Sequence, residues 1–235
     1  NSFDLRQKRI SYLNQYYYYS RHRRLHNYFP NVETRIEKVF STYGISKKLT
    51  SEINNMPIID IGANIGEFSL FLKMKLKHKG KLIAFEPDPT EFGVLQKNAR
   101  IHGFTAVSKA VSGANGEVKF ALKNDDADSR IVFTENVSEE TIKVDAVTLE
   151  QELISKGIYE VGLVKVEAEG YEPEVLKGIN LDLIKVQYFA IDCGPERPPN
   201  NSSTLVECAN YLARRGYTLI NYNPERHAIV MGLKE

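Results

Sequence analysis

The sequence predicts an α/β protein with a seven-stranded, mostly parallel sheet, helices on both of its faces, a C-terminal antiparallel hairpin and an N-terminal helical extension. Three observations carry this reading. The apolar, β-branched run Pro57 to Ile61 leads through Asp60 into a loop with two glycines, Gly62 and Gly66, which reads as a buried strand, a tight turn and a helix start. A second apolar run, Lys81 to Phe85, ends in Glu86, Pro87 and Asp88. From Pro57 onward, strand and helix patterns alternate, as they do in a parallel sheet covered on both sides.

The elements follow in order. Residues 1–55 lack the alternation expected of strands and read as two or three helices with breaks near Pro30 and Gly44, set apart from a second unit at residues 56–235. Strands are expected at 57–61, 81–86, 105–111, 161–167, 185–192, 217–222 and 227–232, and helices near 66–78, 89–102, 171–178 and 203–215. Between the third and fourth strands, Glu117–Leu122, Ser129–Phe133 and Thr141–Val147 alternate polar and apolar residues and read as a small antiparallel flap. The flap carries Asp125, Asp126 and Asp128, but the glycine and bidentate glutamate of a calcium loop do not fall at the required offsets, so a solvated turn is expected. Asn223 to Arg226 form the turn of the C-terminal hairpin.

With 235 residues, 42% hydrophobic and 26% charged, the chain can bury a full α/β core. No apolar run reaches the roughly 18 residues of a membrane span, and no signal-peptide h-region is read at the N-terminus. The first residue is Asn1 rather than Met, so the chain reads as a processed or excised piece. Cys193 and Cys208 have neither the number for a disulfide framework nor the spacing for zinc, which fits a reducing, cytoplasmic setting. The net charge of +1 is unevenly placed, because residues 1–30 hold Arg6, Lys8, Arg9, Arg21, Arg23 and Arg24 against Asp4 alone. Tyr12, Tyr16 to Tyr19 and Tyr28 are interleaved with them. Such a leader suits helix packing or a dimer contact, a glycan or anionic acceptor, or, least well, nucleic acid. If it serves the acceptor, its removal should leave cofactor affinity nearly unchanged.

The glycine loop also indicates a cofactor. A dinucleotide loop reads G-x-G-x-x-G, but here Asn64 stands at the second glycine position and Glu67 at the third, with Asp60 just before the turn. Carboxylates there repel a pyrophosphate and suit a ligand with an ammonium and a sulfonium group, which points to S-adenosylmethionine. The competing reading is a glycine turn in some other α/β protein. Glu86, 20 residues past Gly66, stands where parallel nucleotide-binding sheets hold ribose hydroxyls.

Taken in order, IDIGANIGEFSLFL, AFEPDPTEFGVLQKNARIHG, VTLEQEL and LVKVEAEGYEPEVLKGI resemble the FkbM-type methyltransferases, over about three quarters of the chain from Pro57. The resemblance implies a Rossmann-like class I methyltransferase fold, S-adenosylmethionine as cofactor, a sugar hydroxyl on a glycan, glycolipid or secondary metabolite as acceptor, and no metal. It also implies a cofactor site of Asp60, Gly62, Asn64, Gly66, Glu67, Phe68, Glu86, Pro87 and Asp88. Two positions depart from the family pattern: Glu150 and Glu167 each replace an aspartate, which keeps the charge and lengthens the reach. A homodimer, or fusion to a glycan-assembly domain, is a further expectation.

Ligands of open parallel sheets bind beyond the carboxyl ends of the strands. The fourth strand ends in Glu167 and Glu169 and the fifth in Asp192, with Glu196 and Arg197 following. A clustered carboxylate with a raised pKa can take the proton of an attacking hydroxyl, so Glu169 and Asp192 are the first candidates for the base and Glu167 the next.

Overall fold

The computed structural model describes residues 2–20, 31–123, 129–133 and 140–234. The expected features at Arg21, Arg23, Arg24, Tyr28, Pro30, Asp125, Asp126 and Asp128 lie outside them.

The N-terminal extension departs from expectation. Residues 2–18 form three short antiparallel strands, β1 (Ser2–Asp4), β2 (Arg9–Tyr12) and β3 (Gln15–Tyr18), in place of a helix. Leu13 and Asn14 both adopt positive φ, 50° and 59°, in the turn that pairs β2 with β3, as a two-residue hairpin requires. The tyrosine run does alternate: Tyr17 and Tyr19 are buried, whereas Tyr16 is exposed. Four identical residues concealed a period of two. Tyr17 and Tyr19, with Ile10 and Tyr12, lie in the same apolar cluster as Ile58, Leu70 and Phe71.

Two helices follow as expected, α1 (Val32–Tyr43) and α2 (Lys47–Glu52). Asn31 caps the first of them by accepting from the Thr34 amide, and Gly44 ends it in the left-handed conformation, φ 65°.

The chain continues through β4 (Ile58–Ile61), α3 (Glu67–Met74), β5 (Leu82–Phe85) and α4 (Pro89–His102). The strand expected at 105–111 divides into β6 (Thr105–Val107), at the edge of the main sheet, and β7 (Ala110–Val111), which joins a small one. That small sheet, ordered β7-β10-β8-β9, contains β8 (Gly116–Ala121), β9 (Arg130–Ile131) and β10 (Thr141–Val147). It is the expected flap, except that β7 pairs with β10 in parallel. The seven-residue α5 (Leu149–Ser155) was too short for periodicity to announce it. Then come β11 (Glu160–Val166), α6 (Glu172–Lys177), β12 (Lys185–Asp192), α7 (Leu205–Ala213), β13 (Tyr217–Asn223) and β14 (Ala228–Leu233).

The main sheet has seven strands in the order β13-β14-β12-β11-β4-β5-β6, and β14 alone runs against its neighbours. Successive residues of β4 face opposite ways: Ile58 joins the cluster shared with α1, α3 and the N-terminal strands, and Ile59 joins the one under α5, α6 and α7. Burial on both faces explains why these strands read as unbroken apolar runs.

Candidate active site

A cleft of about 660 Å³ opens beyond the carboxyl ends of β4, β5 and β11. Gly62 turns the chain out of β4 with φ 68°, and a Cβ there would lie 1.8 Å from the Glu167 carbonyl oxygen, so only glycine lets this loop touch the end of β11. Gly66 opens α3 with φ 90°, and a Cβ on it would meet Leu95 Cδ1 at 2.7 Å, so this glycine admits the side of α4.

Glu86 follows β5 and is 6% exposed. Its Oε2 accepts the Asn64 amide at 2.7 Å and its Oε1 the Asp88 amide at 2.8 Å. Burial raises its pKa to about 7 against the opposing pull of these two bonds. Pro87 and Asp88 continue the same wall, and Asp88 accepts from the Thr90 amide, capping α4, and from the hydroxyl of Ser129, just before β9. Phe68 lines the cleft from α3 with its ring against Phe40 and Tyr43.

Two carboxylates of the expected cofactor set have cationic partners. Asp60 is fully buried behind the cleft wall, accepts from the Ser69 hydroxyl at 2.7 Å and pairs with Lys165 Nζ at 3.1 Å. Glu67 lines the cleft but is gripped by both arms of the Arg35 guanidinium.

The end of β11 is the most heavily wired part of the site. Lys165, 2% exposed, reaches Asp60, Glu167 Oε2 at 3.2 Å and the Gly62 carbonyl at 2.9 Å. Burial would lower the pKa of this ammonium, but the Asp60 and Glu167 carboxylates outweigh it and hold the group above the ordinary lysine range. Tyr43 of α1 donates its hydroxyl to Glu167. Burial would raise the Glu167 carboxyl, yet Lys165 and this hydroxyl together bring it below the usual range. Removing the cation while keeping its stem, as in Lys165→Met, leaves Asp60 buried without its counter-charge. The expected loss of stability is about 3–5 kcal/mol, to be read from urea unfolding at constant slope.

The three candidate bases are not equivalent. Glu167 and Glu169 both line the cleft, and Glu169 adopts a left-handed φ of 50° in the turn between β11 and α6. Asp192 is 7% exposed, does not line the cleft, and accepts from Arg226 of the hairpin turn at 3.0 Å. Burial, followed by the nearby Glu167 charge, raises its pKa. Arg197 also turns away, gripping Glu174 with two bonds. Sequence reading missed Arg35, Lys38, Tyr43, Lys109, Arg130 and Arg226 on the cleft wall. They come from four separate segments, and no local spacing joins them.

The profile of the methyltransferase FkbM domain matches residues 60–219, from the cleft loop to the hairpin. The chain belongs to the FkbM methyltransferase family. It is thus a methyltransferase of the S-adenosylmethionine-dependent kind, with the class I fold. Its relatives include Methyltransferase sdnD of Sordaria araneosa, 29% identical over 184 residues, which are 63% of this chain and 71% of that protein. Another is the Hexuronic acid methyltransferase AglP of Haloferax volcanii, 27% identical over 150 residues, 63% of this chain and 59% of the relative. A third, the 31-O-demethyl-FK506 methyltransferase FkbM of Streptomyces tacrolimicus, is 29% identical over 155 residues, 52% and 58% of the two chains. The FkbM-family chain described here thus spans less than two thirds of the length of the last two. Among its described residues, no helix is long and apolar enough to cross a membrane.

Proposed function

We propose that this methyltransferase acts on oxygen, methylating a sugar hydroxyl of a glycan, glycolipid or secondary metabolite. The observation that carries the reading is the pair of carboxylates, Glu167 and Glu169, on the cleft wall at the end of β11 and beside the Gly62 loop. An alcohol must lose its proton as it attacks, and a carboxylate within hydrogen-bond reach can take it. The relatives named for a hexuronic acid and for 31-O-demethyl-FK506 support oxygen as the nucleophile. A cytoplasmic setting suits the two free, buried cysteines.

The residues present fit S-adenosylmethionine. Each Glu86 oxygen accepts one backbone amide and keeps a second lone pair for a ribose hydroxyl. The Asn64 and Asp88 backbone, Pro87 and Phe68 complete the holding wall, and the volume is that of an ordinary cofactor cleft. When bound, the cofactor supplies a methyl group already activated by its sulfonium. The chain's own residues then orient the acceptor, exclude water and receive its proton on Glu169 or Glu167. Asp192 contributes by fixing Arg226 at the cleft mouth.

Mass spectrometry with deuteromethyl-labelled cofactor and a panel of glucuronides, sugar nucleotides and glycolipids tests the acceptor. Label on a sugar oxygen is the expected result. Label only on an amide or on a nucleic-acid ribose would replace this reading, and binding without transfer to any acceptor would make the protein a binding module.

Glu86→Ala should weaken cofactor binding by about 1.5–3 kcal/mol, the scale of hydrogen bonds to a charged group. Because ribose hydroxyls favour the ionised carboxylate and burial holds Glu86 at about 7, affinity should fall as the pH drops below that value. Calorimetry in two buffers of different ionisation enthalpy would detect the released proton. Proton-independent binding would count against Glu86 as the ribose ligand.

A further inference from the structure

Tyr43, the last residue of α1, lies outside the stretch matched by the family profile, yet it lines the cleft. It is 5% exposed, and its hydroxyl donates to Glu167 Oε2. The ring is held on two sides. Phe68 meets it edge-on with centroids 6.0 Å apart, and Lys165 Nζ stands 5.4 Å from its centroid. The backbone around it is pinned as well, since Asn223 Nδ2 donates to the Thr42 carbonyl at 3.1 Å and Asn221 Nδ2 to the Gly44 carbonyl at 3.0 Å. A donor fixed this firmly selects one orientation of its acceptor.

We propose that Tyr43 is a positioning residue for methyl transfer, orienting the Glu167 carboxylate on the cleft wall and thereby making the N-terminal segment part of the machinery that activates the acceptor. The inference rests on the reading of Glu167 as a carboxylate of the reaction. A hydrogen bond to the charged form of a carboxylate also favours that form, so Tyr43 holds Glu167 ionised and in one orientation while lowering its affinity for a proton. The other groups facing Glu167 are Lys165 on its own strand, Asp60 on β4 behind that lysine, Asp192 and Glu196 at and beyond the end of β12, and Arg226 in the hairpin turn. Lys165 and Arg226 act with Tyr43. The acidic neighbours and burial act against it.

Carbon-13 NMR of the full chain, labelled at the glutamate carboxyl carbon, reads the effect without any acceptor. Glu167→Gln identifies the resonance. Tyr43→Phe removes the donor and keeps the ring, and it should raise the Glu167 midpoint by about half a pH unit or more, with a melting temperature close to that of the parent. Tyr43→Met is the second variant should the phenyl replacement fold poorly, and it must move the midpoint the same way. An unchanged midpoint in a folded variant overturns the proposal and leaves the methyl-transfer reading standing. Undiminished turnover of Glu167→Gln on the methylated sugar substrate would instead remove Glu167 from the reaction, whatever the titration shows.

Discussion

Deleting residues 1–20 is expected to unfold the protein. The sequence left this leader open between packing and acceptor binding, with cofactor binding spared only in the second case, and its strands form a structural wall. Ile10, Tyr12, Tyr17 and Tyr19 are all at most 4% exposed, and Tyr17 meets Phe71 of α3 edge-on at 6.4 Å. Asn98 of α4 reads the backbone of Tyr18 at both polar groups, accepting from its amide at 2.7 Å and donating to its carbonyl at 3.0 Å. At about 1.5–3 kcal/mol for each buried side chain, the four contribute roughly 6–12 kcal/mol, an upper bound because an unfolded chain is itself partly collapsed. That is comparable with the roughly 5–15 kcal/mol of a whole domain. Circular dichroism of the truncated protein should show no cooperative melting transition. A truncated form that melts within a few degrees of the parent and binds S-adenosylhomocysteine normally would contradict this packing argument.

The second large effect concerns the cleft carboxylates. Glu169→Gln or Glu167→Gln, whichever removes the base, should retain the fold and cofactor affinity and lose on the order of 10² to 10⁴ in turnover, the usual contribution of a positioned base. The remaining rate should no longer follow the ionisation of that group. Asp192→Asn is expected to act differently, through the freedom it gives Arg226, and should raise KM more than it lowers kcat. Steady-state kinetics over a range of pH on the sugar acceptor, beside calorimetry of the cofactor product, separates the three. Near-normal turnover in both glutamine variants would mean that orientation alone carries the catalysis.

Much of this site was legible before the structure. The strand, turn and helix around Gly62 follow from an apolar run meeting glycines, and Glu86 is marked by its distance from that turn, because both signals are local. The pairings were not legible. Asp60 and Glu67 looked like bare charges awaiting a cationic ligand, but Lys165 and Arg35, 105 and 32 positions away, fold back onto them. Tyr43 was hidden for the same reason, its partner lying 124 positions downstream. Of the N-terminal strands, β3 was concealed by repetition, since a pattern of alternation cannot show in a run of one residue type, while β1 and β2, three and four residues long, are too short to show a period.

The position of β14 has a consequence for how the protein is made. It lies inside the sheet, between β12 and β13, although it is the later of the two hairpin strands. When Asp192 is joined to the growing chain, Leu233 is still 41 residues from being added, and until β14 follows, the edge that it will cover, from Tyr188 to Asp192, has no partner. At about 5–20 residues per second this interval lasts roughly 2–8 s. For that time the newborn chain presents an apolar strand with open backbone donors and acceptors, the feature that seeds strand pairing between molecules. A slower ribosome over Cys193 to Leu233 would lengthen the exposure, and the yield of soluble protein would fall with it.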